Sequence, residues 1–217
     1  MNAVTLPFLK ENLELGELLL AGRDSMFEPQ DLPGRYGRVV KVVDHLLQLL
    51  NCPSVLRGGW AVWRHGFFGR MTQDIDIVLP ADRIDEFLQT AAVSGFEVLP
   101  QPAGRWPKVR HKETDVKVDI LPEGARPGSK SKLAPTLIPH PAELGASGST
   151  LRYIDLPGLV QLKLGAGRAR DEADIVELLR VNEDKVVMIR TYLAGIHGDH
   201  VAAFDLLVER ARQQRDE

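Results

Sequence analysis

The sequence predicts an α/β (α+β) core followed by a helical C-terminal region. Residues 74–80 form an apolar run interrupted by two aspartates, and residues 115–121 alternate charged and apolar side chains, so both segments have the period of a β-strand. Residues 36–50 carry apolar side chains at helical spacing, and the pattern is helical after the last predicted strand. We therefore predict three parts: an N-terminal helical extension (1–35), a mixed core (36–155) and a C-terminal helical cap (156–217).

The composition is typical of a soluble globular protein. The chain has 217 residues, of which 44% are hydrophobic and 26% charged, and its net charge of -3 creates no general attraction to nucleic acid or anionic membranes. Its one cysteine, Cys52, excludes an internal disulfide and fits a reducing compartment. No run of eighteen apolar residues occurs, so we expect a cytoplasmic protein without a membrane-spanning helix.

Helical periodicity is clearest in the first third of the chain. We expect a helix over residues 3–21, with Leu9, Leu13, Leu18 and Leu19 toward a partner surface. A second helix over 36–50 has a predicted solvated face, formed by Arg38, Lys41, Asp44 and Gln48. A third is expected to be capped by Asp82 and to end near residue 92.

The middle of the chain predicts strands and a long loop. A short strand over 96–99 precedes a β-hairpin with arms 106–111 and 114–121, and Asp119 lies on the polar face of the second arm. Residues 122–149 are rich in Pro, Gly, Ser and Lys, which predicts a functional or mobile loop. The basic residues between positions 105 and 132 form a local excess suited to a triphosphate or an RNA backbone: Arg105, Lys108, Arg110, Lys112, Lys117, Arg126, Lys130 and Lys132. An ordinary charged surface is the alternative.

Two carboxylates follow a glycine pair closely in the sequence. Asp74 and Asp76 are two residues apart in a predicted strand, so their side chains point to the same face. Like charges on one face repel and are costly to bury, and a divalent cation such as Mg²⁺ removes that penalty. Gly58 and Gly59 precede a helix-like stretch, where bare backbone N–H groups can bind phosphate. A solvated edge strand is the alternative interpretation of the aspartates.

This combination resembles the nucleotidyltransferase fold shared with polymerase beta, which has a glycine turn, Asp-x-Asp and a third carboxylate on a later strand. The details are most similar to the AbiEii-type toxin nucleotidyltransferases, and the resemblance covers roughly residues 36–180. The matching residues are Gly58, Gly59, Ala61, Val62, His65, Gly66, Arg70, Thr72, Asp74, Ile75, Asp76 and Ile77. The Gly-Gly-Trp-Ala start is also similar to antibiotic nucleotidyltransferases.

The resemblance implies a nucleotidyltransferase-like mixed sheet flanked by helices, and a metal-dependent enzyme that transfers a nucleoside monophosphate from an NTP, such as ATP, to a hydroxyl group. Asp74, Asp76 and Asp119 would hold Mg²⁺ or Mn²⁺ ions that activate the nucleophile and stabilise the departing pyrophosphate. Asp119, in the position of the third carboxylate, would also help to deprotonate the attacking hydroxyl. The residues implied to bind the triphosphate are Gly58, Gly59, Arg70, Thr72 and Lys163.

Lys163 opens a second segment of the resemblance. Lys163, Leu164, Ala166, Arg168 and Asp171 match a Lys-Leu-x-Ala-x-Arg-x-x-Asp pattern that follows the catalytic core in AbiEii-type enzymes. A lysine is a compact point charge suited to neutralising phosphate, and the resemblance makes Lys163 a catalytic and nucleotide-binding residue. A solvated helix end is the alternative for the basic residues here. The sequence assigns no role to Asp171, His65 or His111.

Three functions remain open at this point. The first is a toxin-like enzyme that modifies RNA (for example the 3′ end of a tRNA) or a protein, with a cognate antitoxin as a possible partner. The second is an antibiotic-modifying nucleotidyltransferase, and the third a non-catalytic nucleotide-binding or antitoxin-like module. An enzyme acting on small molecules should have a cleft with aromatic or acidic walls, whereas an enzyme acting on RNA should have a basic track leading to the site.

Overall fold

The computed structural model of the chain describes residues 6–21, 27–129 and 132–214. The helices are α1 (Leu6–Ala21), α2 (Gly34–Leu49), α3 (Gly58–Arg64), α4 (Ile84–Val93), α5 (Leu156–Ala166), α6 (Ala169–Val181), α7 (Val186–Ala194) and α8 (Gly198–Gln213). The strands are β1 (Val55–Arg57), β2 (Asp74–Leu79), β3 (Phe96–Leu99), β4 (Lys108–His111), β5 (Lys117–Pro122), β6 (Gly128–Ser129), β7 (Lys132–Leu133) and β8 (Arg152–Tyr153). The predicted mixed α/β class is confirmed.

Six strands form one mixed sheet in the order β3-β4-β5-β2-β1-β8. Strands β3, β4 and β5 are consecutive antiparallel neighbours, so the predicted hairpin is confirmed as β4 and β5. At the centre, β5 runs parallel to β2, and β2 runs antiparallel to β1. Strand β8 extends the sheet beyond β1 in parallel orientation.

The central strands separate an apolar face from a charged face. Ile75, Ile77, Val118 and Ile120 alternate with charged residues on β2 and β5 and are fully buried in the core. Because side chains alternate along a strand, the aspartates of both strands are driven to the opposite face. The burial of these apolar residues thereby fixes where the charged side chains lie.

Helix α2 follows its predicted pattern with one exception. Its apolar positions from Tyr36 to Leu47 are buried in the core, as the helical spacing predicts. Asp44, however, is 8% exposed rather than solvated, because its Oδ1 accepts a hydrogen bond of 2.7 Å from the backbone N–H of Leu151. A backbone donor that must be satisfied just before β8 accounts for this buried carboxylate.

Two of the α1 leucines predicted to face a partner surface do not pack on the described part of the chain. Leu13 and Leu18 are 70% and 61% exposed, whereas Asn12 and Leu15 face the protein. Asn12 is buried because its side-chain amide donates to the Phe8 carbonyl and its Oδ1 accepts from the Thr72 backbone N–H. The side chain of Leu19 lies outside the described part of the structure.

One predicted helix cap, Asp82, also differs from the structure. Helix α4 begins after Arg83, because a 3₁₀ turn over Ala81–Arg83 includes Asp82. Asp155 does precede α5, but its side chain makes no capping hydrogen bond. The predicted loop over 122–149 contains the short ribbon β6–β7 and a 3₁₀ turn at Pro141–Leu144.

The C-terminal region consists of α5 to α8, as the helical pattern predicts. Helix α5 is buried along most of its length, with Leu159, Val160 and Leu162 in the same apolar core as the sheet. Within the described residues, no helix combines the length and apolar character needed to cross a membrane.

Candidate functional site

Four charged side chains form a row across the sheet, one from each of four neighbouring strands. Arg57 on β1 is the register partner of Asp76 on β2, and Asp76 is the partner of Asp119 on β5. Asp119 in turn lies opposite Lys108 on β4. Register partners in adjacent strands point their side chains to the same face. The row therefore places two neighbouring carboxylates between two cations.

Asp74 lies on the same face, two residues before Asp76. Burial raises the pKa of Asp74, and the negative charges of Asp119 and Asp76 raise it further. Burial also raises the pKa of Asp119. The hydrogen bond from Lys108 lowers this pKa, whereas the negative charge of Asp76 raises it. Like charges that share a site resist simultaneous ionisation. The structure thus brings the three predicted metal ligands to one face, where they repel each other.

The two carboxylate oxygens of Asp119 have different surroundings. Oδ2 accepts a hydrogen bond of 2.5 Å from Lys108 Nζ. Oδ1 is buried and has no hydrogen-bond partner among the described residues. A buried polar atom without a partner is unfavourable by about 1–3 kcal/mol. A cation or a proton at Oδ1 would remove this penalty.

The glycine pair is packed tightly against the site. Gly58 opens α3 with a left-handed φ of +77°, and an added Cβ would lie 2.0 Å from Oδ2 of Asp76. A Cβ on Gly59 would lie 2.5 Å from the Cβ of Thr72. Only glycine therefore fits both positions without displacing a predicted site residue. The helix start that the glycine pair predicted is confirmed, and it lies directly against Asp76.

Thr72 and Arg70 belong to the segment between α3 and β2. Thr72 is 7% exposed, and its hydroxyl donates to the Asp74 carbonyl at 3.4 Å. Arg70 Nε lies 3.2 Å from Oδ2 of Asp174, and burial lowers the pKa of Arg70. The guanidinium thus pairs with a carboxylate of α6, and its charge also acts on Asp76. Thr72 and Arg70, both predicted to bind nucleotide, therefore lie near the carboxylates, but each is already engaged in a contact within the protein.

Lys163 points into the protein, where it forms a buried ion cluster. Its side chain is 1% exposed, and Nζ lies 2.5 Å from Asp174 Oδ2 and 3.6 Å from Asp171 Oδ1. Burial lowers the pKa of Lys163, while both aspartates counteract that effect. The alternative of a solvated helix end is therefore wrong for Lys163, but the ammonium is already paired. Its predicted contact with a triphosphate stays a prediction.

Asp171 is the carboxylate that links this cluster to the surface. Arg168 donates to both of its oxygens, at 2.6 and 3.1 Å. Burial would raise the pKa of Asp171, but these hydrogen bonds and the charge of Lys163 lower it. Asp171 is therefore a buried carboxylate held between two cations, which explains it without a direct contact to a substrate.

A cavity of about 440 Å³ lies over the charged face of the sheet. Asp76 and Asp119 contribute its acidic lining, and Trp106 contributes an indole ring. Its cationic lining residues are Arg57, Arg105, Lys108, Arg126 and Arg168. The cavity therefore has an excess of positive charge around two carboxylates, as expected of a site for a phosphorylated ligand. Asp74, Lys163 and the glycine pair lie outside its lining.

Of the basic residues predicted to form a local excess, three line this cavity: Arg105, Lys108 and Arg126. Arg110 instead pairs with Glu97 and Asp115 on the surface. Lys130 and the side chain of Lys132 lie outside the described part of the structure. The sequence pattern does not indicate a site role for Arg57 or Trp106, and it indicates Lys108 only as part of the basic excess.

The carboxylates offer the donor atoms of a site for a divalent metal ion. Asp74, Asp76 and Asp119 supply the hard oxygen donors that Mg²⁺ and Mn²⁺ prefer, and Asp119 Oδ1 lacks any other partner. In the described ranges of the chain, however, no group of three or more His, Cys, Asp or Glu side chains is arranged to hold an ion. The chemistry of the donors fits the metal, while their present side-chain positions do not converge.

The two histidines with unassigned roles make local contacts. His65 Nε2 donates to the Ile154 carbonyl at 2.8 Å, and burial lowers its pKa to about 4. His111 Nδ1 lies 3.0 Å from the Thr114 hydroxyl. Neither lines the cavity, so both are explained by packing and hydrogen bonding.

Solved structures with a similar fold include two of ANT(2'')-Ia. One, in complex with adenylyl-2''-tobramycin, is 16% identical and has a TM-score of 0.47 over 82% of this chain and 97% of that chain. The other, a solution structure of this antibiotic-resistance factor, is 18% identical with a TM-score of 0.44 over 82% and 94%. A STING-associated CdnE c-di-GMP synthase from Capnocytophaga granulosa is 12% identical with a TM-score of 0.30 over 81% and 77%.

No protein-family model matches the sequence, and no curated protein matches it. The likeness to the solved structures concerns the fold alone, at identities of 18% and below. The specific resemblance to AbiEii-type enzymes stays a prediction. What the chain does must therefore be inferred from the side chains of the site.

Proposed function

We propose that this protein is a metal-dependent nucleotidyltransferase that transfers a nucleoside monophosphate from an NTP to a hydroxyl group of RNA. The proposal is supported above all by the register of Asp76 with Asp119 on the charged face, with Asp74 beside them. A nucleotide-binding module would need one carboxylate pair, whereas transfer also needs a carboxylate on the side of the nucleophile. Asp119, with its unpartnered Oδ1, is suited to that task.

In the proposed reaction, an acceptor hydroxyl attacks the α-phosphorus of the NTP. The new P–O bond forms as the bond to the β-phosphate breaks, and pyrophosphate leaves. Asp119, whose Oδ1 has no hydrogen-bond partner among the described residues, takes the proton of the hydroxyl. When bound by Asp74, Asp76 and Asp119, Mg²⁺ or Mn²⁺ supplies charge stabilisation to the phosphates.

The remaining side chains of the cavity are proposed to bind the substrates. Arg126 and Arg168 line the cavity and can neutralise the triphosphate, while Gly58 lies beside Asp76 and Gly59 beside Thr72. Lys163 of α5 forms ion pairs with Asp171 and Asp174 of α6. We therefore propose that it stabilises the packing of these two helices, in addition to its predicted role toward phosphate. Trp106 offers a flat surface for a base.

The charge of the cavity distinguishes between the acceptors. Five cations face two carboxylates in its lining, and the NTP donor uses part of this excess. The remaining positive charge favours an anionic acceptor such as RNA over an antibiotic with several amino groups. A protein hydroxyl needs no such excess of cations. An NTP donor and an RNA acceptor also imply that the reaction takes place in the cytoplasm.

The test is an incubation of the purified protein with Mg²⁺ and each of the four α-labelled NTPs. Total RNA, total protein and a panel of aminoglycosides serve as acceptors in separate reactions. We expect label on RNA, reduced by about 10²- to 10⁴-fold in Asp119→Asn, because general base catalysis contributes that much. Asp115→Asn is the matched control, since Asp115 is an exposed aspartate in the turn before β5.

The outcomes separate the alternatives. Label on an aminoglycoside would assign the chain to antibiotic modification, and label on protein would change the acceptor class. Nucleotide binding without transfer to any acceptor would leave the non-catalytic module. Equal activity of Asp119→Asn and the wild type would refute the proposed base.

The resemblance to AbiEii-type toxins adds a biological proposal. Modification of an RNA that the cell needs would stop growth, and a cognate antitoxin would restrain the enzyme. We expect that expression of the wild-type protein arrests bacterial growth, while Asp119→Asn at the same level does not. Growth arrest by both proteins would separate toxicity from transfer.

A further inference from the structure

Lys108 is bound to a carboxylate oxygen that a metal ion would need. Its Nζ lies 2.5 Å from Oδ2 of Asp119, at the end of the charged row and at the wall of the cavity. Neither side chain is fully buried, with 35% of Lys108 and 23% of Asp119 exposed. The ammonium therefore has space to move away from the carboxylate.

This contact supplies positive charge to Asp119. The three carboxylates have suitable donors but do not form a ligand set as they stand. Two neighbouring carboxylates in register require positive charge, and the ammonium of Lys108 supplies it to Asp119. An ammonium and a divalent ion cannot both occupy the same side of one oxygen, so the two compete.

We propose that Lys108 is a positioning residue that serves as an internal substitute for a metal ion at Asp119 and is displaced when the ion binds. The inference rests on the metal site of the proposed function. Lys108 keeps Asp119 neutralised and correctly placed before the ion arrives. After displacement, its ammonium lies at the cavity wall beside the place where phosphates would bind, which suits a compact cation.

The test measures Mn²⁺ binding to the protein without nucleotide or acceptor, from the electron paramagnetic resonance signal of free Mn²⁺. Lys108→Met keeps most of the side-chain volume and removes the charge. We expect the Kd for Mn²⁺ to fall by about tenfold or more, because a positive charge a few ångströms from the ion is lost. A purely structural role of Lys108 would leave the Kd unchanged or raise it.

Lys117→Met is the matched control. Lys117 lies on the same face as the register partner of Asp74, and its charge affects Asp119 less than Lys108 does. The Lys117→Met substitution removes the same charge from the same face but leaves the contact between Lys108 and Asp119 in place. We expect its effect on the Kd to be about threefold at most, since the effect of a charge weakens with distance and screening.

A second variant and a second measurement address stability. Lys108→Gln can still donate a hydrogen bond to Asp119, and it should also bind Mn²⁺ more tightly than the wild type. If either variant is less stable without metal, its melting temperature should rise more on addition of Mn²⁺ than that of the wild type. A rise no larger than that of the wild type counts against displacement.

Two results would overturn the inference: Lys108→Met that binds Mn²⁺ no more tightly than the wild type, or an equal gain in Lys117→Met. Absence of Mn²⁺ binding in all variants would overturn it as well. Since no transfer is measured, the result is independent of the acceptor. Tighter Mn²⁺ binding without any labelled acceptor would support the inference while contradicting the proposed enzyme.

Discussion

Replacing Gly58 with alanine should move a metal ligand while leaving the fold largely intact. The added Cβ would lie 2.0 Å from Oδ2 of Asp76, whereas ordinary contacts begin at 3.4 Å. The carboxylate must therefore retreat by more than about 1 Å, a displacement that can reduce the rate about 10²-fold when a reacting geometry is involved. The left-handed φ of +77° adds a backbone penalty of about 1–2 kcal/mol.

Gly124→Ala separates these two effects. Gly124 has a φ of +72°, close to that of Gly58, but an added Cβ there would meet nothing within 4 Å. Both variants should lose about 1 kcal/mol from backbone strain, partly offset by reduced freedom of the unfolded chain. Only Gly58→Ala should also lose transfer activity.

Urea denaturation followed by circular dichroism gives the two unfolding free energies, and labelled-NTP transfer to RNA gives kcat/KM. The expected pattern is destabilisation of both variants, larger in Gly58→Ala because of the clash with Asp76, and a loss of about 10²-fold in kcat/KM for Gly58→Ala alone. Wild-type kcat/KM in Gly58→Ala would refute the link between this contact and the reaction. An equal loss in Gly124→Ala would show that strain, and not the position of Asp76, matters.

Two further predictions concern buried charges. Lys163→Met should lose about 3–5 kcal/mol of unfolding free energy in urea, because two buried aspartates lose the cation that they share, while Arg168→Met, whose side chain is 64% exposed, should lose far less. A loss below about 1 kcal/mol for Lys163→Met would contradict this account of the cluster. The pKa of His65 is lowered to about 4 in the folded state, so the unfolded state binds this proton at a higher pH than the folded state does. Stability should therefore fall as the pH decreases from about 6.5 toward 4. His65→Gln should reduce this dependence in denaturation curves recorded at several pH values, and an unchanged slope would refute it.

The alternation of charged and apolar residues was sufficient to place the aspartates. Ile75 and Ile77 had to be buried, so Asp74 and Asp76 had to face the other way, and the same reasoning placed Asp119. Glycine in the strand-to-helix connection was equally informative, because Gly58 contacts Asp76 directly. These features depend on local periodicity and sterics, which the sequence contains.

The neighbours of these residues depended on register, which periodicity does not determine. Pairing of Lys108 with Asp119 requires one particular alignment of β4 with β5, and the hairpin sequence permits others. The same is true of Arg57, whose position opposite Asp76 depends on the pairing of β1 with β2. The side of α1 that packs on the protein could not be predicted from its leucines, because Asn12, a polar residue, occupies that side through hydrogen bonds.

The ion cluster around Lys163 also constrains how this protein can evolve. Asp174 is shared by Lys163 of α5 and Arg70 of the segment before β2, so changing any one of these residues alters the charge balance of a buried cluster. An evolutionary path that alters one member must pass through an unstable intermediate, unless a second substitution accompanies it. We expect homologous sequences either to retain Arg70, Lys163 and Asp174 together or to replace them together with apolar residues. Frequent loss of one member alone would show that the cluster tolerates an isolated charge.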